Sequence, residues 1–221
     1  MSETSVSKQQ TMLEEYEPGD FFLASPKRTI MGKGVFAVVE EAWKAKNQLF
    51  SLPTRVEAGL NQAKQTGHPY PVAMGAVPFD YSESSEIIIP KEVDLSGPLH
   101  IEKGHQETLS AMSLYEMQPV PAPEEYIKGV NKGLEKIAAG QLDKIVVSRA
   151  LQFNMRERVD VKQLIKNLAE YNTQGYTFAV DLSAEKESKA EIKSVSGRRT
   201  LVGASPELLV SKTGDSLFAN P

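Results

Sequence analysis

A helical stripe that halts at a glycine and runs straight into an apolar segment is the feature that most narrows what this chain can fold into. Over Glu124 to Ala139, residues Tyr126, Val130, Leu134, Ile137 and Ala138 recur at helical spacing. Pro123 with Glu124 and Glu125 suits the start of that helix, and Gly140 its stop. The next segment, DKIVVSRALQF, predicts a buried strand of more than average length. A helix feeding a buried strand requires a sheet to receive it, so all-helical architectures are excluded.

The same alternation runs along the rest of the chain. FFLASP at Phe21 to Pro26 predicts a short strand stopped by its proline, and KRTIMGKG a hairpin or loop. GVFAVV suits a strand, whereas EEAWKAKNQLFSL favours a helix; from Val56 the residues Val56, Leu60 and Ala63 recur at helical spacing, interrupted by Gly59 and stopped at Gly67. GAVPFD predicts a buried strand entering a turn. The mixed text from Pro90 to Pro123 predicts a crossing over one side of the domain, or a boundary before the next unit. A second helix is predicted over Asp160 to Tyr171, with Asp160 as its cap, then a strand at YTFAVDL. SAEKESKAEIKS predicts an exposed excursion, and KTGD the hairpin turn of the closing strands. The polar residues before Pro18 predict a flexible amino-terminal arm, residues 1–18, ahead of one domain over 19–221. No fixed-period repeat is present, so the class is mixed, α/β or α+β.

Composition enters as exclusion. A formal charge of −4, with no basic cluster interleaved with aromatics, argues against nucleic acid as a partner. No apolar run is long enough to span a bilayer and MSETSVSKQQ lacks the order of a secretory signal, so no membrane partner is expected and the expected location is cytoplasmic. The absence of cysteine removes disulfides and thiolate ligands. His68, His100 and His105 lack zinc-ligand spacing, so no metal ligand is assigned among these residues.

Two positions could carry proton transfer. Lys144 begins the apolar run; a lysine at a strand end is usually solvated, but near a cleft desolvation lets it accept a proton. Glu207 follows Ser205 and Pro206 between apolar flanks in GASPELL, where a carboxylate either caps and faces water or is fixed at the end of an element as an acid. Arg149 suits an ion pair or a structural fork. Gly203 and Ser205 shape the turn before Glu207.

KIVVSRA at Lys144 to Ala150, GASPELL at Gly203 to Leu209 and GAVPFD at Gly75 to Asp80 together resemble the chorismate-utilising enzymes, most closely the isochorismate synthases of siderophore pathways. The resemblance implies an α+β layered fold, with large antiparallel sheets covered by helices. It implies isomerisation of chorismate to isochorismate, feeding 2,3-dihydroxybenzoate, with Lys144 as the base that activates water and Glu207 as the acid for the departing hydroxyl. Arg149, Gly203 and Ser205 would bind substrate or support those two, and Arg198 and Arg199 would add positive potential for a dianionic substrate. Anthranilate-forming relatives carry glutamine where Lys144 stands, which favours the water-using branch; salicylate synthases share both residues and are the enzymatic alternative.

The resemblance covers nearly all of this chain but about half of a typical family member. The family continues into an LAGS-like turn, glutamates that ligate Mg2+, and basic residues that hold the substrate carboxylates. The expectation is an amino-terminal half that supplies base and acid, with Mg2+ ligands and a complementing carboxy-terminal half elsewhere. A non-catalytic chorismate-binding or interaction module is the other outcome.

Overall fold

A computed structural model describes residues 12–40, 48–80, 82–101, 115–155, 157–182 and 198–220. The chain divides into two compact units, Met1–Lys103 with Asp160–Pro221, and Gly104–Val159.

In the first unit, β1 (Phe21–Ala24), β2 (Thr29–Lys33), β6 (Glu92–Ser96), β9 (Tyr176–Asp181) and β10 (Thr200–Ser205) form a five-stranded antiparallel sheet in the order β10-β9-β1-β2-β6. Alternation sets its inner face. Phe22 and Ala24 on β1, Met31 on β2 and Ala179 on β9 are buried. Helix α3 (Val161–Tyr171) lays Ile165 into this cluster, with Val161 packed at its edge. Its cap is the expected one, since the Asp160 carboxylate accepts from the Gln163 N–H at 3.0 Å.

The arm's carboxy-terminal part is docked. Residues 12–14 form a helical turn, and Met12, Leu13 and Tyr16 are buried in the same cluster. Three apolar side chains in five residues are enough to hold the segment, and the polar letters around them hid that period. Residues 1–11 lie outside the described residues.

A second layer of this unit joins β3 (Ala37–Val38), β5 (Glu86–Ile89) and β4 (Met74–Ala76) in the antiparallel order β3-β5-β4. Helix α1 (Gln48–Gln65) packs on it through Leu52 and Val56, against Val39 and Ile87. GAVPFD forms a strand only over Gly75 and Ala76 before the chain bends, and it is not the buried strand expected, since Val77 and Phe79 are exposed. A side chain at Gly75 would come within 1.9 Å of the Glu86 carbonyl oxygen, so this strand pairs closely only with glycine there. β11 (Leu208–Thr213) and β12 (Ser216–Asn220) form a separate hairpin whose turn holds Gly214 at φ 57, as KTGD predicted.

The second unit contains β7 (Glu116–Val120), α2 (Pro123–Ala138) and β8 (Ala150–Asn154), with β7 and β8 antiparallel. Helix α2 matches the predicted one within a residue. The long buried strand does not form as expected. Only Ala150–Asn154 joins a ladder, while residues 144–149 have none among the described residues, and Val146 is 80% exposed. A strand is stable only when another backbone takes its hydrogen bonds, and hydrophobicity alone supplies no such partner. β7 went unrecognised because its EMQPV text shows no apolar alternation. The excursion predicted at 183–194 and the helical text at 41–47 lie outside the described residues. Among the described residues, no helix is long and apolar enough to cross a membrane.

Candidate active site

The proposed acid sits at a junction between two strands. β10 pairs with β9 along its whole length, from Thr200 opposite Asp181 to Ser205 opposite Tyr176, and Glu207 follows in the link to β11. The Glu207 N–H donates to the Ser205 hydroxyl at 3.2 Å, which fixes the main chain at the carboxylate-bearing residue. Glu207 itself is exposed. Gly203 has a steric reason: a side chain there would stand 2.6 Å from the Phe178 ring of β9.

Two residues that the sequence reading missed support this turn. The Asn172 side chain, just past α3, donates to the Tyr176 carbonyl at 3.0 Å and so ties down the residue opposite Ser205. Gly175 lies under the same strand end, where an added side chain would be 2.5 Å from the Ser205 carbonyl oxygen. A glycine directly ahead of a predicted strand was the available signal for such a close approach.

The proposed base belongs to the second unit. Lys144 is exposed at the head of the unladdered segment 144–149. Arg149, at the tail of that segment, sits over the Tyr126 ring of α2 at 5.5 Å. The Tyr126 hydroxyl donates to the Val147 carbonyl at 3.4 Å, a long contact that adds to the same attachment. Arg149 is thus attached to an aromatic ring on the helix of its own unit, not by a fork between adjacent strands. Lys144 and Arg149 share one unit; Gly203, Ser205 and Glu207 share the other.

Arg198 and Arg199 do different work from the one expected. The Arg198 guanidinium lies 3.1 Å from the Asp181 carboxylate and donates to the Pro18 carbonyl. Arg199 donates to the Leu182 carbonyl at 2.8 Å and lies 3.6 Å from the Glu86 carboxylate. Both charges are met by the protein's own acceptors, which leaves little potential for a substrate dianion. Arg198, Asp181 and Glu86 also line a half-open cleft of the first unit with Phe21, Met74 and Ile88; Gly203, Ser205 and Glu207 do not line it.

In the core of the same unit, the Tyr16 hydroxyl is buried without a hydrogen-bond partner. Burial first, then the negative charges of Asp20 and Asp181, push it up to about 12, against the pull of Arg198. Burial likewise raises Asp20 above the ordinary carboxylate value, although the Glu17 N–H donates to it. Among the described residues, no group of three or more His, Cys, Asp or Glu side chains is placed to hold a metal ion, so these residues do not fit the Mg2+ site that the resemblance implies. His68 is structural: its ring bonds the Pro90 carbonyl at 2.8 Å and accepts from the Tyr70 N–H at 3.2 Å.

Comparison with known proteins converges on one family. A family model described as chorismate binding enzyme matches residues 98–220. The isochorismate synthase DhbC of Bacillus subtilis is 44% identical over 215 residues, covering 97% of this chain and 52% of that protein. The vibriobactin-specific isochorismate synthase of Vibrio cholerae is 30% identical over 201 residues, covering 91% and 46%. Among solved structures, that of DhbC from Bacillus anthracis, assigned as a 2,3-dihydroxybenzoate-specific isochorismate synthase, superposes with a TM-score of 0.78 at 39% identity, covering 96% of this chain and 51% of that one. The chain spans about half the length of the curated relatives it matches.

Proposed function

Since this chain belongs to the chorismate-binding enzyme family, we propose that it is the portion of a siderophore-type isochorismate synthase that supplies the base and the acid of the reaction, in a cytoplasmic setting. The observation that carries this reading is the 44% identity to the Bacillus subtilis isochorismate synthase along 97% of the chain, a span that includes both Lys144 and Glu207.

In that reaction a water oxygen bonds to the ring carbon beside the one bearing the carboxylate, and its proton passes to the Lys144 amine. The diene electrons shift, the carbon–oxygen bond on the other side of the ring breaks, and the departing hydroxyl takes a proton from Glu207 and leaves as water. Atoms balance, so the net change is an isomerisation. The lysine must start neutral and the glutamate protonated, opposed states that demand opposed surroundings. Both residues are exposed in this chain, beside apolar neighbours that are exposed too, Val146 at 80% and Leu209 at 83%. Covering those neighbours would exclude bulk solvent from both groups while leaving the reacting water at Lys144, the task this reading gives to a complementing carboxy-terminal half. No step is assigned to Mg2+, because the described residues do not form its site.

The test is a fusion of this chain to the part of the Bacillus subtilis relative that it does not cover, assayed with chorismate and magnesium and resolved by chromatography. Isochorismate is the expected product, and Lys144→Ala or Glu207→Ala should each lower turnover about 100- to 10,000-fold. Salicylate with pyruvate would transfer the chain to the salicylate synthases. A fusion that folds and consumes no chorismate would sink the reading.

A further inference from the structure

The segment that carries Lys144 has no ladder to hold it, yet it has a defined path along α2, and the contacts that define the path fall close to the lysine. At its far end, Arg149 lies over the Tyr126 ring and the Val147 carbonyl accepts from the Tyr126 hydroxyl. At its near end, the residue directly after Lys144 meets Gly133. A side chain built on Gly133 would stand 3.1 Å from Ile145 Cγ2, closer than ordinary van der Waals contact. Gly133 is buried in a helix whose other interior glycine, Gly129, is exposed and has nothing within 4 Å of a side chain built there.

We propose that Gly133 is a positioning residue for Lys144: its bare surface on α2 is the seat of Ile145, and that seat sets where the neighbouring lysine projects. Helix propensity alone opposes glycine here, since an interior glycine weakens a helix relative to alanine. Gly129 and Gly133 bear the same cost, but only Gly133 has a neighbour that uses the space. The contacting atom also matters. Cγ2 is bonded directly to Cβ in a β-branched side chain that is stiff at χ1, so displacing it moves the Ile145 backbone instead of a flexible tip. A few tenths of an ångström at Ile145 is transmitted through one peptide unit to Lys144, and proton transfer is sensitive to displacements on that scale.

The inference rests on Lys144 acting as the base, so its test has one arm that needs no catalysis. In the 221-residue chain, backbone amide chemical shifts at Lys144 to Val147, measured by NMR, are compared between Gly133→Ala and Gly129→Ala. The expected result is displaced shifts at these residues in Gly133→Ala and none there in Gly129→Ala, although both substitutions favour the helix. In the fusion enzyme, Gly133→Ala is expected to lower kcat about 3- to 10-fold with KM unchanged, while Gly129→Ala leaves both alone. In an Ile145→Ala background, the effect of Gly133→Ala should vanish, because the methyl it strikes is gone. Equal behaviour of the two alanine variants in chemical shift and in kcat would overturn the proposal, and so would a full Gly133→Ala penalty persisting without Ile145. Turnover that survives Lys144→Ala would instead remove the base assignment and the kinetic role with it, while the chemical-shift arm still judges the seat.

Discussion

The two units hold their proposed catalytic residues by opposite means. In the first, Glu207 follows a strand paired along its whole length, inside a sheet whose inner face is filled by Phe22, Met31, Ala179 and Ile165. In the second, Lys144 heads a segment with no ladder among the described residues, held by Tyr126 and Gly133 of one helix on which Ile127 and Leu134 are 57% and 59% exposed. Backbone hydrogen bonds fix the acid's position at many points, whereas a few side-chain contacts fix the base's. The second arrangement is more easily disturbed, because each contact there has no redundant neighbour.

The largest test of this contrast removes equivalent apolar bulk from each unit. Phe22→Ala should destabilise the first unit by about 3–5 kcal/mol, the loss expected for a filled core site. Leu134→Ala should cost less than about 1 kcal/mol, since most of its surface is already in water. Denaturant unfolding followed separately in the two units checks this; comparable losses would break the comparison.

Alkaline pH sharpens it. Tyr16 ionises near 10 in the unfolded chain but at about 12 in the fold, so above pH 10 the folded state holds the extra proton. Stability is therefore unaffected by this group's ionisation below pH 10 and falls as pH rises towards 12, by about 2–3 kcal/mol in all, because the buried site disfavours the phenolate. Tyr16→Phe should abolish that fall. It should also raise stability at neutral pH by about 1 kcal/mol, because the buried hydroxyl has no partner. A melting curve against pH that is unchanged by the substitution would contradict this account.

The smallest expected effect lies at the acid's own turn. Ser205→Ala removes the acceptor of the Glu207 N–H and should cost about 0.5–1.5 kcal/mol locally. Faster exchange of the Glu207 amide, with β9–β10 amides unchanged, is the expected sign. If the Glu207 amide were unaffected, the strand ladder alone would be holding the turn.

Local signals carried much of this. Helix α2 was legible because its stripe, its Pro-Glu-Glu start and its glycine stop agree, and α3 because Asp160 precedes a single apolar face. The hairpin at Gly214 and the strands β1, β4 and β9 were legible for the same reason, each being specified within a few residues. In GASPELL, Glu207 lies in the two-residue link between β10 and β11, where it is exposed. Arg198 and Arg199 were misread because sequence shows their charge but not the Asp181 and Glu86 carboxylates that meet it.

The sequence by itself determined the α+β class, the main helices and hairpin, the family, and which lysine and glutamate to consider, since each depends on neighbours in the chain or on a motif of contiguous residues. Only the tertiary structure decided that DKIVVSRALQF joins a ladder solely at its end, that Met12, Leu13 and Tyr16 enter the core, and that Gly133 and Gly175 lie where other residues need the space. Those outcomes turn on which backbone or side chain arrives from far along the chain, and hydrogen-bond pairing and steric exclusion at a distance leave no local pattern to read.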